Sequence, residues 1–212
     1  MIELMSLDKI LSQPDIQICR NDKFIAIGSY NGDPAVAHAY RCKELADNHQ
    51  RALNTLKGSC ISPELLDTTC IIYNGTIWHV VIEEKIKGKD LRTFKLNEDL
   101  FTEIGTTVAT LHQYYVIHGD LWHGNFIKDL NSTHLKIIDY EHATISSKIA
   151  DMANDLLILL LNFADLGEPY LHLILEGYLS KKSLPKNYVN YLEKEINAMS
   201  KCYEQRSHRI LL

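Results

Sequence analysis

The sequence has no Cys-x-x-Cys pair, no apolar run that could cross a bilayer and no excess of positive charge. Its five cysteines, Cys19, Cys42, Cys60, Cys70 and Cys202, are scattered and odd in number, which argues against a disulfide framework. They read as buried free thiols. The most apolar stretch, Leu156 to Leu161, is six residues long, against ~20 for a spanning helix. The start, Met1-Ile2-Glu3-Leu4-Met5, lacks a basic segment ahead of an apolar one, so no secretory signal is read there and the expected compartment is the cytoplasm. A net charge of −5 removes any global drive toward nucleic acid or anionic membranes. Repeats and low-complexity tracts are missing too.

What remains is an ordinary globular composition, 46% apolar and 23% charged over 212 residues, enough for one domain or two small lobes sharing a cleft. The patterning changes near residue 87. Before it, short β-type runs dominate: Ile16–Cys19, Lys23–Tyr30, Ala35–Arg41, Thr69–Tyr73 and Thr76–Ile86. Turn signals separate them, and Asn74-Gly75 is a strong two-residue hairpin turn because both residues tolerate positive φ. A single helix, Lys43–Leu56, interrupts the strands, with Leu45, His49, Ala52, Leu53 and Leu56 at helical spacing. After residue 87, helical periodicity takes over at Asn97–Tyr115, Ile149–Phe163, Pro169–Leu179 and Pro185–Tyr203, with short strands near Phe126-Ile127 and Leu135–Ile138. The expected organisation is α+β and bilobal: a small β-rich lobe with one helix (1–87) and a compact, mostly helical lobe (88–212), joined at Gly88.

The most informative segment is His118-Gly119-Asp120-Leu121-Trp122-His123-Gly124-Asn125, followed by Leu135-Lys136-Ile137-Ile138-Asp139-Tyr140-Glu141. Taken singly, these are a turn, a cap and a strand end. In this order and spacing they resemble the catalytic core of the protein-kinase-like superfamily, where an H-x-D-x-x-x-x-N loop precedes a strand ending in a metal-binding Asp. The resemblance implies ATP and Mg²⁺ as cofactors. Asp120 would orient the attacking hydroxyl, and Asn125 and Asp139 would give hard oxygen ligands to the metal. His118 reads as a residue that holds the loop. The acceptor would bear a hydroxyl.

Within the superfamily, H-G-D-L-W is similar to fructosamine kinases and H-G-D-L-x-x-G-N to the aminoglycoside phosphotransferase branch. Gly124-Asn125-Phe126 resembles some lipopolysaccharide-core kinases. Ile138-Asp139-Tyr140-Glu141 followed by Asp151-Met152-Ala153-Asn154 looks like the choline kinase pattern, which implies that Asp151 supports the catalytic loop; simple helix capping is the other reading of that Asp. Only eleven residues separate Asp139 from Asp151, too few for an activation segment. A C-terminal lobe of this size has little chain to wall in a metabolite, as small RIO-like kinases also do not, so a bulky acceptor such as a glycan, glycolipid head group or protein is expected.

The nucleotide side departs from the family. There is no G-x-G-x-x-G; the covering loop falls at Arg20-Asn21-Asp22 or, in another register, at Gly28–Gly32. Val80–Gly88 resembles the strand leading to the hinge, with the backbone near Glu84 and Ile86 facing the adenine. The family's β3 lysine aligns with Arg41, with Lys43 as the alternative and a solvated strand-end residue as the other reading of Arg41, and Asn48, His49 and Gln50 stand where the helix Glu is expected. An inward Arg41 would turn Ala39 into the cleft and take Glu83 or Asp139 as its anionic partner. A pseudokinase or an unrelated α/β binding module are the competing readings. His38, His49, His79 and His172 read as core or surface residues rather than metal ligands. Lys181, Lys182, Lys186 and Arg206–Arg209 form a mildly basic region, read as solvated.

Overall fold

The computed structural model describes residues 6–94, 97–132 and 134–210, and it divides into two compact units. The first comprises Met1–Lys87 with Asp139–His142, the second Gly88–Ile138 with Ala143–Leu212. The side chains of the Arg206–Arg209 cluster lie outside the described residues.

The first unit opens with α1 (Leu7–Ile10), then β1 (Ser12–Cys19), β2 (Lys23–Tyr30), β3 (Asp33–Tyr40), α2 (Lys43–Thr55), β4 (Leu65–Tyr73) and β5 (Thr76–Glu84). The strands form one antiparallel sheet in the order β1-β2-β3-β5-β4. β1 is an edge strand with two register shifts, which is where Pro14, lacking an N–H, is tolerated. Asn31-Gly32 and Asn74-Gly75 close tight hairpins with positive φ at both residues of each pair, the twist that two-residue hairpins need.

Strand alternation gives the sheet two buried faces. One is packed with Phe24, Ala26, Ala35, Ala37, Ala39, Trp78, Val80 and Ile82 beneath Leu7, Ile10 and Leu11. The small alanines of β3 leave room for the rings of Phe24 and Trp78, 4.9 Å apart edge to face. The other face carries Lys23, His38, Tyr40, Val81 and Glu83, by register and alternation. α2 buries Ala46, His49, Ala52 and Leu53, and its His49 meets Tyr40 and Glu83 on that second face. Ala39 therefore packs in the core under α1, and the inward turn anticipated for it alongside Arg41 does not occur. His38 and Tyr40 take the side that faces α2.

The second unit contains β6 (Gly88–Asp90), α3 (Glu98–Gln113), β7 (Val116–Ile117), β8 (Phe126–Asp129), β9 (Leu135–Ile137), β10 (Thr144–Ile145), α4 (Ile149–Asn162), α5 (Glu168–Lys181) and α6 (Lys186–Ile210). The Asn97 side chain caps α3 by accepting from the Leu100 N–H at 3.0 Å. α3 and α5 touch backbone to backbone. A Cβ on Gly105 would lie 2.0 Å from the Ile174 carbonyl oxygen, and one on Gly177 would lie 2.3 Å from that of Thr102. Two short ladders, β6-β8-β9 and β10-β7, flank the loop of residues 118–125.

The cysteines depart from expectation. Cys42 and Cys60 are exposed and Cys70 is half-buried, all three as free thiols. Cys42 is the residue before α2 and Cys60 lies in the loop after it, positions that the core does not reach.

Candidate active site

In the second unit, β7 delivers the chain into residues 118–125. His118 is fully buried. Its Nε2 donates to the Ile138 carbonyl (3.0 Å) while its Nδ1 accepts the Asp120 N–H (3.3 Å). Both nitrogens are thus engaged in shaping the loop, as a neutral imidazole with its proton assigned to Nε2.

Beneath the loop lies Asp155 of α4, 1% exposed. Its Oδ1 accepts the Gly119 N–H at 2.8 Å, and its Oδ2 accepts the His118 N–H at 2.9 Å and the His112 Nε2–H at 3.1 Å. The other ring nitrogen of His112 pairs with the Tyr178 hydroxyl at 2.8 Å. Burial pushes the Asp155 carboxyl up, but the hydrogen bond and charge of His112 outweigh it and hold the group below its ordinary value. The loop-supporting carboxylate is therefore Asp155. Asp151, assigned that task from the family pattern, lies in the first turn of α4 and instead accepts from the hydroxyl of Ser146, which precedes the helix. The signal was present in the helix: Met152, Asp155, Leu156 and Leu159 share its buried stripe, and a carboxylate in an apolar stripe needs donors.

The same loop brings Asp120 and Asn125 together. The Asn125 Nδ2 donates to the Asp120 carbonyl at 2.9 Å and to its Oδ2 at 3.3 Å. This commits the amide nitrogen to Asp120; the amide oxygen is a donor type suited to a hard divalent cation. Gly124 is required by its neighbour: a Cβ there would lie 2.4 Å from the Trp122 ring. Asn162 donates to the Leu121 carbonyl at 2.8 Å, a further strut from α4.

Asp139 belongs to the first unit and has φ 68°, a left-handed conformation uncommon for a non-glycine residue and often found at functional sites. Its Oδ1 pairs with the Lys23 Nζ at 2.6 Å. The same ammonium pairs with Glu141 at 2.5 Å. Burial pushes the Asp139 carboxyl up; His38 and Lys23 outweigh that and hold it below the ordinary carboxylate range. An ionised carboxylate with an oxygen donor set fits a divalent metal.

Glu83 accepts from the His38 Nε2 (3.2 Å) and the His49 Nε2 (2.9 Å), and the His49 Nδ1 accepts from the Tyr40 hydroxyl at 2.8 Å. Burial pushes Glu83 up, but the two imidazoles hold it at about 2. Burial pushes His49 down, consistent with a neutral ring satisfied at both nitrogens. One ligand-capable atom from each of His38, His49 and Glu83 lies within 4.8 Å of the others, a grouping the two N–H bonds to Glu83 explain.

Arg41 follows the end of β3, is exposed, and sets its guanidinium 5.2 Å from the Trp78 ring centroid. Its anticipated partners are taken: Glu83 by the two histidines and Asp139 by Lys23. Lys43 is 67% exposed and pairs with Asp47 one turn along α2. Glu84 closes β5, its N–H donating to the Glu64 carbonyl at 2.9 Å, and Ile86 lies half-buried in the extended connection that follows. The sequence reading missed Lys23 and Asp155; His38 and His49, read as core or surface residues, are buried.

A family described as lipopolysaccharide core biosynthesis protein (WaaY) matches residues 63–159. Among curated proteins, a probable bifunctional tRNA threonylcarbamoyladenosine biosynthesis protein of Methanothermobacter thermautotrophicus is 28% identical over 184 residues, 78% of this chain and 33% of that protein. The EKC/KEOPS complex subunit BUD32 of Encephalitozoon cuniculi is 34% identical over 101 residues, 46% of each. The chain thus spans a third to a half of the length of these two relatives. Among solved structures, WaaP in complex with acyl carrier protein matches with a TM-score of 0.65 at 14% identity, covering 88% of this chain and 89% of that one. A microcompartment-associated aminopropanol kinase matches with a TM-score of 0.63 at 12% identity, covering 90% and 84%. The fold is theirs: a β-sheet lobe with one major helix and a helical lobe, carrying H-x-D-x-x-x-x-N and a strand-end Asp in the order already described. The chain therefore has the protein-kinase-like fold.

Proposed function

We propose that this chain is an ATP-dependent phosphotransferase that moves the γ-phosphoryl group to a hydroxyl of a sugar, a glycolipid or another non-protein acceptor. The resemblance to kinases implies ATP and a divalent metal. In this reading Asp120 accepts the hydrogen bond of the acceptor hydroxyl and aims it in line, Asn125 and Asp139 ligate Mg²⁺, and the backbone at Glu84 and Ile86 meets the adenine. Bound Mg²⁺ would neutralise phosphate charge as the bond to the leaving group lengthens. The observation that carries the reading is the fixed geometry around Asp120. Asp155 from below, His118 from the side and Asn125 across the loop hold it in place, and phosphoryl transfer depends on positioning rather than on covalent chemistry by the protein.

The matched lipopolysaccharide core biosynthesis family supports a glycan-bearing acceptor. The pocket beside the loop supports a bulky one: lined by Leu91, Arg92, His123, Asn162 and Phe163, it holds about 160 Å³, less than the ~300 Å³ at which small-molecule sites begin. No helix among the described residues is long and apolar enough to cross a membrane.

The curated relatives favour a second reading, in which the chain is the kinase-like part of a tRNA-modifying assembly and acts on a protein of it. Incubation with γ-labelled ATP and separate pools of core glycolipid, small metabolites, protein and tRNA distinguishes the two. Label in the glycan pool is the predicted result. Label in protein alone selects the second reading, and label in none of the pools contradicts both.

A further inference from the structure

We infer that Lys23, on β2, is the cation that binds the nucleotide phosphates in this chain, in place of a lysine on β3. The inference rests on the phosphotransferase reading and deepens its nucleotide side. Lys23 is the one buried lysine among the described residues, 8% exposed, although it sits immediately after a three-residue turn. An ammonium taken out of water is costly unless paired, and this one meets two carboxylates, Asp139 and Glu141, at 2.6 and 2.5 Å. One of these is the residue read as a metal ligand. The aliphatic stem runs past Tyr40, its cross-strand partner, whose ring centroid is 5.5 Å from the Nζ.

Position argues the same way. Arg20-Asn21-Asp22 is closed by the Arg20 N–H donating to the Lys23 carbonyl at 2.7 Å and is tied to the end of β3 by the Arg41 N–H to the Asp22 carbonyl at 3.0 Å. A turn this short has few amides to wrap a triphosphate, so the charge must come from a side chain at its end. Lys23 is that side chain, and its strand parity puts it on the face shared with His38, Tyr40 and Glu83. The two cations that sequence alignment offered are committed elsewhere: Arg41 lies on Trp78 and Lys43 is solvated beside Asp47. β3 offers His38, whose Nδ1 is buried without a hydrogen-bond partner, 3.9 Å from the Asp139 carboxylate. An imidazole tethered to Glu83 is short for the task that a lysine performs.

Equilibrium binding of ATP, ADP and adenosine, each with and without Mg²⁺, tests this without any turnover. Lys23→Met should weaken ATP and ADP roughly tenfold to a hundredfold, the range for hydrogen bonds to charged groups, and leave adenosine unchanged. Lys23→Arg should retain most of the affinity and Lys43→Ala all of it. Because Lys23→Met strands two carboxylates and can unfold the sheet, the variant Lys23→Met/His38→Lys, which returns a lysine to β3, is measured beside it and should regain ATP affinity. Equal weakening of ATP and adenosine, unchanged ATP binding by Lys23→Met, or loss of ATP binding by Arg41→Ala alone each overturns the assignment while leaving the phosphotransferase reading intact. If the unmodified protein binds neither ATP nor ADP, the phosphotransferase reading itself is overturned, and this assignment with it.

Discussion

Asp155 shows how much one residue organises. Its two oxygens accept three N–H groups, two of them from the backbone that carries Asp120. Asp155→Asn turns an NH₂ toward donors and should cost about 3 kcal/mol, since it leaves buried donors without an acceptor; urea unfolding reads this directly. The pH dependence has a definite sign. The native carboxyl is held below its ordinary value of 3.8, so its contribution is complete above that value and is lost as pH falls through the lowered native one. The stability gap between the native protein and Asp155→Asn should therefore close in acid; a gap that stays constant would mean the charge of Asp155 is not what holds the loop. The same scale shows where residue-by-residue alignment runs out. The H-x-D-x-x-x-x-N loop and Asp139 could be read from spacing because they lie in one short stretch of chain. Lys23 could not, because its partners are 116 and 118 positions away and only the packing of Asp139–His142 with the first unit brings them together.

At the scale of elements, periodicity was legible almost throughout. The two halves of the β4–β5 hairpin and the helices Lys43–Thr55, Glu98–Gln113 and Ile149–Asn162 all fall where apolar spacing and turn residues put them. Parity was harder. β3 is buried on both faces, so alternation alone does not say which of Ala39 and Tyr40 faces α2; the packing of Phe24 and Trp78 against the alanines decides it. Helix contacts were also hidden. Gly105 and Gly177 look like weak points in helical runs, yet they are where α3 and α5 touch. Gly105→Ala puts a methyl 2.0 Å from one backbone atom and 2.7 Å from another. It should cost about 3 kcal/mol, at the upper end for overpacking, and lower the melting temperature by roughly 6–12 °C for a chain of this size. A shift smaller than 2 °C in a thermal melt would mean that the helices part easily.

The whole molecule is read at two levels of resolution. Its two-part organisation and kinase-like fold were legible in a change of periodicity near residue 87 and in one contiguous motif. The departure from that picture is local: Asp139–His142 lie within the second half of the sequence but pack with the first unit, against α2, because Lys23 and Asn48 hold them there. The acceptor was not legible, since it depends on surface that no motif encodes. The central claim is that Asp120 serves transfer whereas Asp139 also serves metal and nucleotide. The most direct measurement pairs transfer of γ-label with binding of Mg-ATP in the native protein, Asp120→Ala and Asp139→Asn. Asp120→Ala should lose transfer by at least about a hundredfold, the lower range for a positioned acid–base group, and bind Mg-ATP as the native protein does. Asp139→Asn should lose both, its ATP affinity becoming insensitive to Mg²⁺. Transfer at the native rate by Asp120→Ala, or Mg²⁺-dependent ATP binding retained by Asp139→Asn, would contradict the account.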